Sequence, residues 1–355
     1  MSEMTWIAAS MVDGSVIAEL PDLQASGLEQ RMMDYASESV LLPWDNRPSN
    51  WLDATEPMSA WLILLQDGVP LWGAFILDRV RDLSKASLEL KVVTWEAYLD
   101  RMPVGDAVFT QVSQTQIARR LVMDWAVTGM RNCLRVDADS SGVLRDRTYT
   151  DDADKSVLSC LQELSQVQGG PEWMVSIVLD GDGTYHPVVK ISDRIGSTVQ
   201  MTSFDLSVMT GFTVDEDWSS GKGANKVRAV STADGDNRPS SSWHSSGDLL
   251  RPVVPYSYTP STSITSTDTL DAHAAAKLAL LGDGTNTVSF SVDLLAAPRL
   301  NVEWSPGDVV GWDAGEAAER YPDGSSGQAR AIGWTMDFSG VPQLTPILQA
   351  ERGGE

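Results

Sequence analysis

The chain has 355 residues with 26 basic and 49 acidic side chains, a net charge of −23 and a pI near 4.4. That length suits two or three domains with their own cores, and the 42% hydrophobic content is ordinary for a globular protein. No apolar run is long enough to span a bilayer as a helix, and so acidic a surface argues against sequence-specific binding of DNA or RNA. The acidity is spread evenly: residues 1–205 carry 16 basic and 30 acidic groups, and residues 206–355 carry 10 and 19.

The N-terminal segment has an acid where a secretory signal carries positive charge, so synthesis and folding in a cytoplasm are expected. Residues 1–105 read as mainly β, with strands expected at Thr5–Ser10, Ser15–Glu19, Glu38–Leu42, Ala60–Gln66, Pro70–Leu77 and Ser87–Thr94. The richest stretch is Trp61–Asp100. Two apolar runs flank the turn Gln66-Asp67-Gly68-Val69-Pro70, a charged link follows at Asp78–Lys85, and Leu88–Val92 alternates apolar and polar. This is a β-meander without catalytic grammar.

The character changes at Thr110. Ser113 and Gln116 have capping-box spacing, and Ile117, Leu121, Val122 and Trp125 recur with helical period, which predicts a helix over Ser113–Thr128. A second helix is predicted over Asp154–Gln168, with Val157, Leu158, Leu161, Leu164 and Val167 inward. Two strands follow, Glu172–Asp180 and Thr184–Ile191, joined by Gly181-Asp182-Gly183, which is a hairpin signal. From Phe204 the chain is β again. Strands are predicted at Val227–Thr232, Asn286–Asp293, Asp308–Asp313, Gln328–Asp337 and Leu344–Gln349, interrupted by a Ser/Thr/Pro-rich stretch, Ala233–Thr267, and a helix, Thr269–Leu281. Within that stretch Ser240–Ser246 reads as a mobile loop tip. The domain division is therefore 1–105, 106–205 and 206–355, the last with an insertion at about 233–285.

Chemical motifs are weak. Asp137–Leu144 resembles the start of an EF-hand loop, but its twelfth position is Thr148 where the bidentate Glu belongs. Trp218-Ser219-Ser220-Gly221-Lys222-Gly223-Ala224-Asn225 has a phosphate-loop core, yet position 216 is Glu and a strand follows. Two cysteines, Cys133 and Cys160, are too few for a disulfide framework or a structural zinc, and Cys160 reads as a small core residue. The histidines, His186, His244 and His273, fit no metalloprotease motif. No cofactor and no metal are expected. One basic concentration stands out: Arg119, Arg120, Arg131, Arg135, Arg145 and Arg147. It reads equally as a solvated face with local ion pairs or as contact with an acidic neighbouring subunit.

The segments Trp61–Gly73, Val93–Leu99, Arg145-Asp146-Arg147-Thr148-Tyr149, Gly169-Gly170-Pro171-Glu172-Trp173 and Trp218–Asn225 together resemble minor tail proteins of long-tailed phages that infect actinobacteria. The chain is similar over about 50–340 to the baseplate-hub, tail-associated family, related to the hubs of contractile-tailed phages. The resemblance implies a mainly β, α+β fold with two tube-like β-barrel domains and an intervening α+β domain. It also implies a non-enzymatic virion protein: a homotrimer that closes the tail tube and adapts a sixfold tube to a threefold tip. The implied partners are a distal tail protein, the tape measure protein and tail tip or fibre proteins, with DNA passing through the lumen. Location at the virion tail tip, after assembly in the host cytoplasm, is implied as well. A chain ending at Glu355 is expected to lack the hydrolase or fibre domain of longer hubs. A sixfold distal tail protein and a tail-associated cell-wall hydrolase are the competing readings, and Trp243 marks a third, a host-binding loop.

Overall fold

The computed structural model describes residues 3–45, 47–82, 84–167, 169–231, 238–247, 250–259, 266–315 and 326–349, of which Asn286 is described by its backbone alone. Two compact units divide it. The first comprises 1–211, 290–317 and 325–349; the second is formed chiefly by 212–289.

The first unit begins with a mixed order of short and long strands: β1 (Met4–Ser10), β2 (Val16–Glu19), β3 (Gln24–Ala25), β4 (Gly27–Arg31), β5 (Ser37–Pro43), β6 (Ala60–Gln66), β7 (Val69–Val80) and β8 (Ser87–Thr94). All but β4 form an antiparallel seven-stranded sheet in the order β2-β1-β6-β7-β8-β5-β3. The turn between β6 and β7 is tight because Asp67 and Gly68 both take positive φ, +49° and +80°, which matches the right-handed twist of the flanking strands. The expected link at Asp78–Lys85 is shorter than its charge pattern suggests. β7 runs on to Val80 by pairing with Glu89 through a bulge, since ladder bonds outweigh a polar sequence.

β6 is buried along its whole length. Trp61, Ile63 and Leu65 enter a core shared with Ile7, Phe75, Val93 and Trp95, and Leu62 and Leu64 are buried beside them. Trp61 packs edge-on against Trp95 at 5.5 Å. A short helix α1 (Trp51–Ala54) stands between β5 and β6, and the core continues without a break into the following segment: β9 (Ala107–Ser113), β10 (Arg135–Ala138), β11 (Leu144–Tyr149), β12 (Glu172–Leu179) and β13 (Tyr185–Ser192), with the helices α2 (Glu96–Asp100), α3 (Gln114–Val122) and α4 (Val157–Ser165). Ile117, Leu121, Val157, Leu161, Trp173 and Val189 belong to it. The predicted hairpin at 172–191 is present, with Leu179 opposite Tyr185, and β10 joins it in parallel.

Two helix ends differ from the sequence pattern. Ser113 stands at the N-cap of α3 but makes no capping bond, because it ends β9 opposite Leu144 and its hydroxyl meets that of Thr115 at 3.1 Å. The α-helix stops at Val122 and continues as a π turn over Met123–Val127. α4 is capped instead by Ser156, whose Oγ accepts the Ser159 N–H.

A second seven-stranded sheet contains β14 (Gln200–Asp205), β15 (Met209–Asp217), β19 (Thr285–Asp293), β20 (Val309–Asp313), β21 (Ser326–Asp337) and β22 (Gln343–Leu348), in the order β14-β20-β21-β22-β19-β15. Its seventh strand is β4. Residues Gly333–Asp337 of β21 lie between β22 and β4, with Trp334 opposite Gln30. An early strand therefore completes a sheet otherwise built from the C-terminal third.

The second unit is small. β16 (Lys226–Ala229) lies between β17 (His244–Ser245) and the parallel β18 (Pro255–Tyr258), and α5 (Thr267–Leu281) packs on one face. Its core is Ala224, Val227, Ala229, Leu270, Ala274 and Leu281. Trp218 fits against Gly223 and Gly284, where any Cβ would collide with the indole. The region read as a mobile tip, Ser240–Ser246, contains β17 and a buried Ser241. The boundaries of the 212–289 segment fall within β15 and β19.

Candidate functional site

The six arginines singled out by sequence do not share one role. On β11, Arg145 and Arg147 have the same parity as the buried Tyr149, and both are half-buried. The Arg145 Nε–H donates to Gln114 Oε1 at 3.1 Å, and the buried Gln114 amide donates in turn to Asp193 and to the Gly169 carbonyl. Arg135 pairs with Asp180 at 2.8 Å. Arg120 lies over the Phe109 ring and reaches Asp124, one helical turn on, at 3.6 Å. Arg119 on α3 and Arg131 in the following loop form no ion pair with a described carboxylate. An unpaired guanidinium is the better candidate for a partner's acid, since a half-buried, hydrogen-bonded one already has its electrostatic role filled.

Buried polar groups elsewhere hold structure. Arg330 forms a bidentate pair with Glu172 and also donates to the carbonyls of Gly307 and Ile195, at 2.9 and 2.7 Å. One guanidinium thereby ties β21 to β12 and to two loops, a network invisible to local pattern because Arg330 and Glu172 are 158 residues apart. Glu96 is almost fully buried on α2. Burial pushes its carboxyl up to about 7, against the pull of Thr94 and of the Val175 N–H that donates to it. Burial likewise pushes the Cys133 thiol to about 12 and the Cys160 thiol to about 11. Both cysteines are unpaired in disulfides and are unreactive by that measure.

The histidines lie apart in role. His186 Nδ1 faces the Cys133 carbonyl and Nε2 the Thr184 hydroxyl, each at 3.0 Å. His244 contacts Asp271 at 2.9 Å, and the His273 ring lies tilted against Tyr258. Asp137 and Ala138 end β10, and the Gly221–Gly223 turn packs beside Tyr256 and Trp218. Among the described residues no three His, Cys, Asp or Glu side chains gather as a metal site. No helix there is long and apolar enough to cross a membrane. The buried polar groups act as struts within the fold.

This arrangement, two large antiparallel-rich sheets with a small α/β insertion, is a fold shared with several solved tail proteins. The chain is similar to the 43 kDa tail protein of prophage MuSo2 from Shewanella oneidensis, with a TM-score of 0.60, 12% identity and 100% of both chains covered. It is also similar to the tail protein from Neisseria meningitidis MC58, with a TM-score of 0.57, 13% identity, and 98% of this chain and 97% of that one covered. In the Francisella PdpA–VgrG complex the match has a TM-score of 0.54 at 9% identity, over 99% of this chain and 54% of the other. No protein-family model and no curated protein matches by sequence.

Proposed function

We propose that this chain is a structural protein of a long phage tail, acting as a trimeric baseplate hub. The observation that carries the reading is end-to-end likeness in fold to two tail proteins, with 97–100% of each chain aligned. A partial likeness would fit a borrowed module, whereas a full-length one fits a shared architecture. The two seven-stranded sheets support the hub in particular. Three copies, each giving two sheets, place six wall segments around one axis, which suits a sixfold tube above and a threefold tip below. In this reading the sheets are the walls of the two tube-like domains.

A distal tail protein and a tip or fibre protein are the proposed neighbours, and tape measure protein and then DNA pass through the lumen. Part of the net charge of −23 lines that lumen and keeps a polyanion from sticking. Arg119 and Arg131, with no described acid of their own, are the arginines most available to an acidic neighbour.

Threefold-averaged reconstruction of the tail tip tests the proposal, supported by light scattering on purified protein. The expected result is a ring of three copies of the 38.5 kDa chain. A sixfold ring would move the chain to the distal tail position. Clearing of host peptidoglycan in a zymogram would favour a cell-wall hydrolase, and a neutral or basic lumen would remove the role given to charge.

A further inference from the structure

The second unit carries a face that the tail reading leaves unused. In the three-stranded sheet, Val227 and Ala229 on β16 point into the core beneath α5. Lys226 and Arg228 alternate with them and therefore rise from the opposite face, where both are half-buried. Trp243, just before β17, lies across both, with the Arg228 guanidinium 4.8 Å and the Lys226 ammonium 5.6 Å from its ring centre. Trp243 as a whole residue is still 41% exposed.

Trp243 is not a loose side chain on a loose loop. The Ser242 N–H donates to Asp271 Oδ1 at 3.0 Å, and the His244 ring Nε2 meets the same oxygen at 2.9 Å, so α5 holds the backbone before the tryptophan and the side chain after it. Ser241 is buried, and its hydroxyl accepts the Ala229 N–H at 2.8 Å. The ring is thus presented in a fixed position, and a preorganised aromatic loses little entropy on binding.

Among the described residues the two cations lack an acidic partner. Neither Lys226 nor Arg228 pairs with a described carboxylate; the Arg228 Nε–H donates only to Ser257 Oγ at 3.0 Å. Residues 212–289 hold 6 basic and 9 acidic groups, a net −3, while the rest of the chain holds 20 and 40. Two cations with no described acidic partner thus stand beside a partly exposed tryptophan in the least acidic part of the molecule. Hydroxyls of Ser245 and Ser257 stand opposite Lys226 and Arg228 in the ladder.

We propose that this face, Trp243 with Lys226, Arg228 and Ser257, binds an acidic carbohydrate: a sugar ring stacked on the indole, its carboxylate or phosphate held by the two cations. A flat, open aromatic with short hydroxyl side chains suits the apolar face of a pyranose. A densely charged nucleic acid would be repelled by the rest of the molecule. The site goes beyond the tail reading and does not need it, so a failed titration leaves the ring symmetry untouched, and the reverse.

Isothermal titration of the full chain with three probes decides it: oligogalacturonate, its methyl-esterified neutral form, and a phosphate-bearing mannan fragment. A ten-nucleotide thymidine strand serves as polyanion control. Binding to at least one acidic glycan is expected, weakened about tenfold in Trp243→Ala and about tenfold again when Lys226→Gln and Arg228→Gln are combined. Trp243→Phe should retain part of the affinity, and the neutral ester should bind several-fold more weakly than the acid. Which acidic glycan binds separates carboxylate from phosphate as the natural group. No binding of any acidic glycan at millimolar concentration overturns the proposal, as does unchanged affinity in both Trp243→Ala and the double variant. Tighter binding of the thymidine strand would replace it with a single-strand nucleic-acid site.

Discussion

The two units solve the problem of stability by different means. In the first, β6 is buried on both faces and Trp61, Trp95, Trp173 and Phe75 lie in one continuous core of more than thirty residues. In the second, the described core is six small or medium apolar residues with Tyr256, Tyr258 and Leu278 packed against them, beneath one helix on a three-stranded sheet. Since the stabilising term grows with apolar area removed from water, the first unit can carry buried charges and strained turns. The second has little margin and depends on local fits such as Trp218 against Gly284. Rigidity in one and economy in the other suit a framework with an accessory module.

Substitutions can break that contrast or sharpen it. The largest effect belongs to the first core: Trp61→Ala should cost about 3–5 kcal/mol, read as a lower denaturation midpoint with the slope unchanged. A loss under about 1 kcal/mol would mean that the continuous core is not one cooperative body.

Glu96 comes next. The folded protein keeps the proton that the unfolded chain gives up above its ordinary value of 4.5, because burial raises the folded carboxyl to about 7. Stability from this group is therefore complete at pH 4.5 and below, falls as pH rises toward about 7, and levels off above that. The loss is on the order of 3 kcal/mol. Glu96→Gln, which keeps the shape of the protonated acid, should match the wild type at pH 5 and exceed it at pH 8 in urea titrations. Parallel pH profiles for the two proteins would show that the carboxyl is solvated after all.

In the second unit, Gly284→Ala places a methyl group against the Trp218 indole at a backbone φ of +78°. A loss of about 1–3 kcal/mol is expected. It should appear as faster proteolysis within residues 212–289 while the first unit stays resistant. Uniform cleavage of both units would contradict their independence. The smallest test compares two helix starts: Ser156→Ala should cost about 1 kcal/mol by losing its bond to the Ser159 N–H, and Ser113→Ala should be nearly neutral in a thermal melt.

Local pattern revealed much of this architecture. The Asp67–Gly68 turn, the 172–191 hairpin, the inward stripes of α3 and α4, and the strands at Ala60–Gln66 and Ser87–Thr94 follow from periodicity and turn chemistry, which act over a few residues. What escaped depends on distant partners. β4, with one buried residue in five, carries no period-2 signal and is a strand because β21 pairs with it. β14 and β15 are mostly exposed and so lack an apolar pattern. The Ser113 box has the right letters, but β9 ends at that serine, opposite β11. The arginines show the same limit: spacing finds a cluster of positive charge, while only packing tells that Arg135 and Arg145 are already engaged.

The pairing of β4 with β21 also sets a clock. About 300 residues separate the two strands, and a ribosome adding roughly 5–20 residues per second needs some 15–60 s to cover that distance. Throughout that interval the first sheet has its own strands in hand, whereas Gly27–Arg31 has no ladder to join. Completion of the second sheet is a late event by construction, and it closes the early and late ends of the chain into one body in a single step.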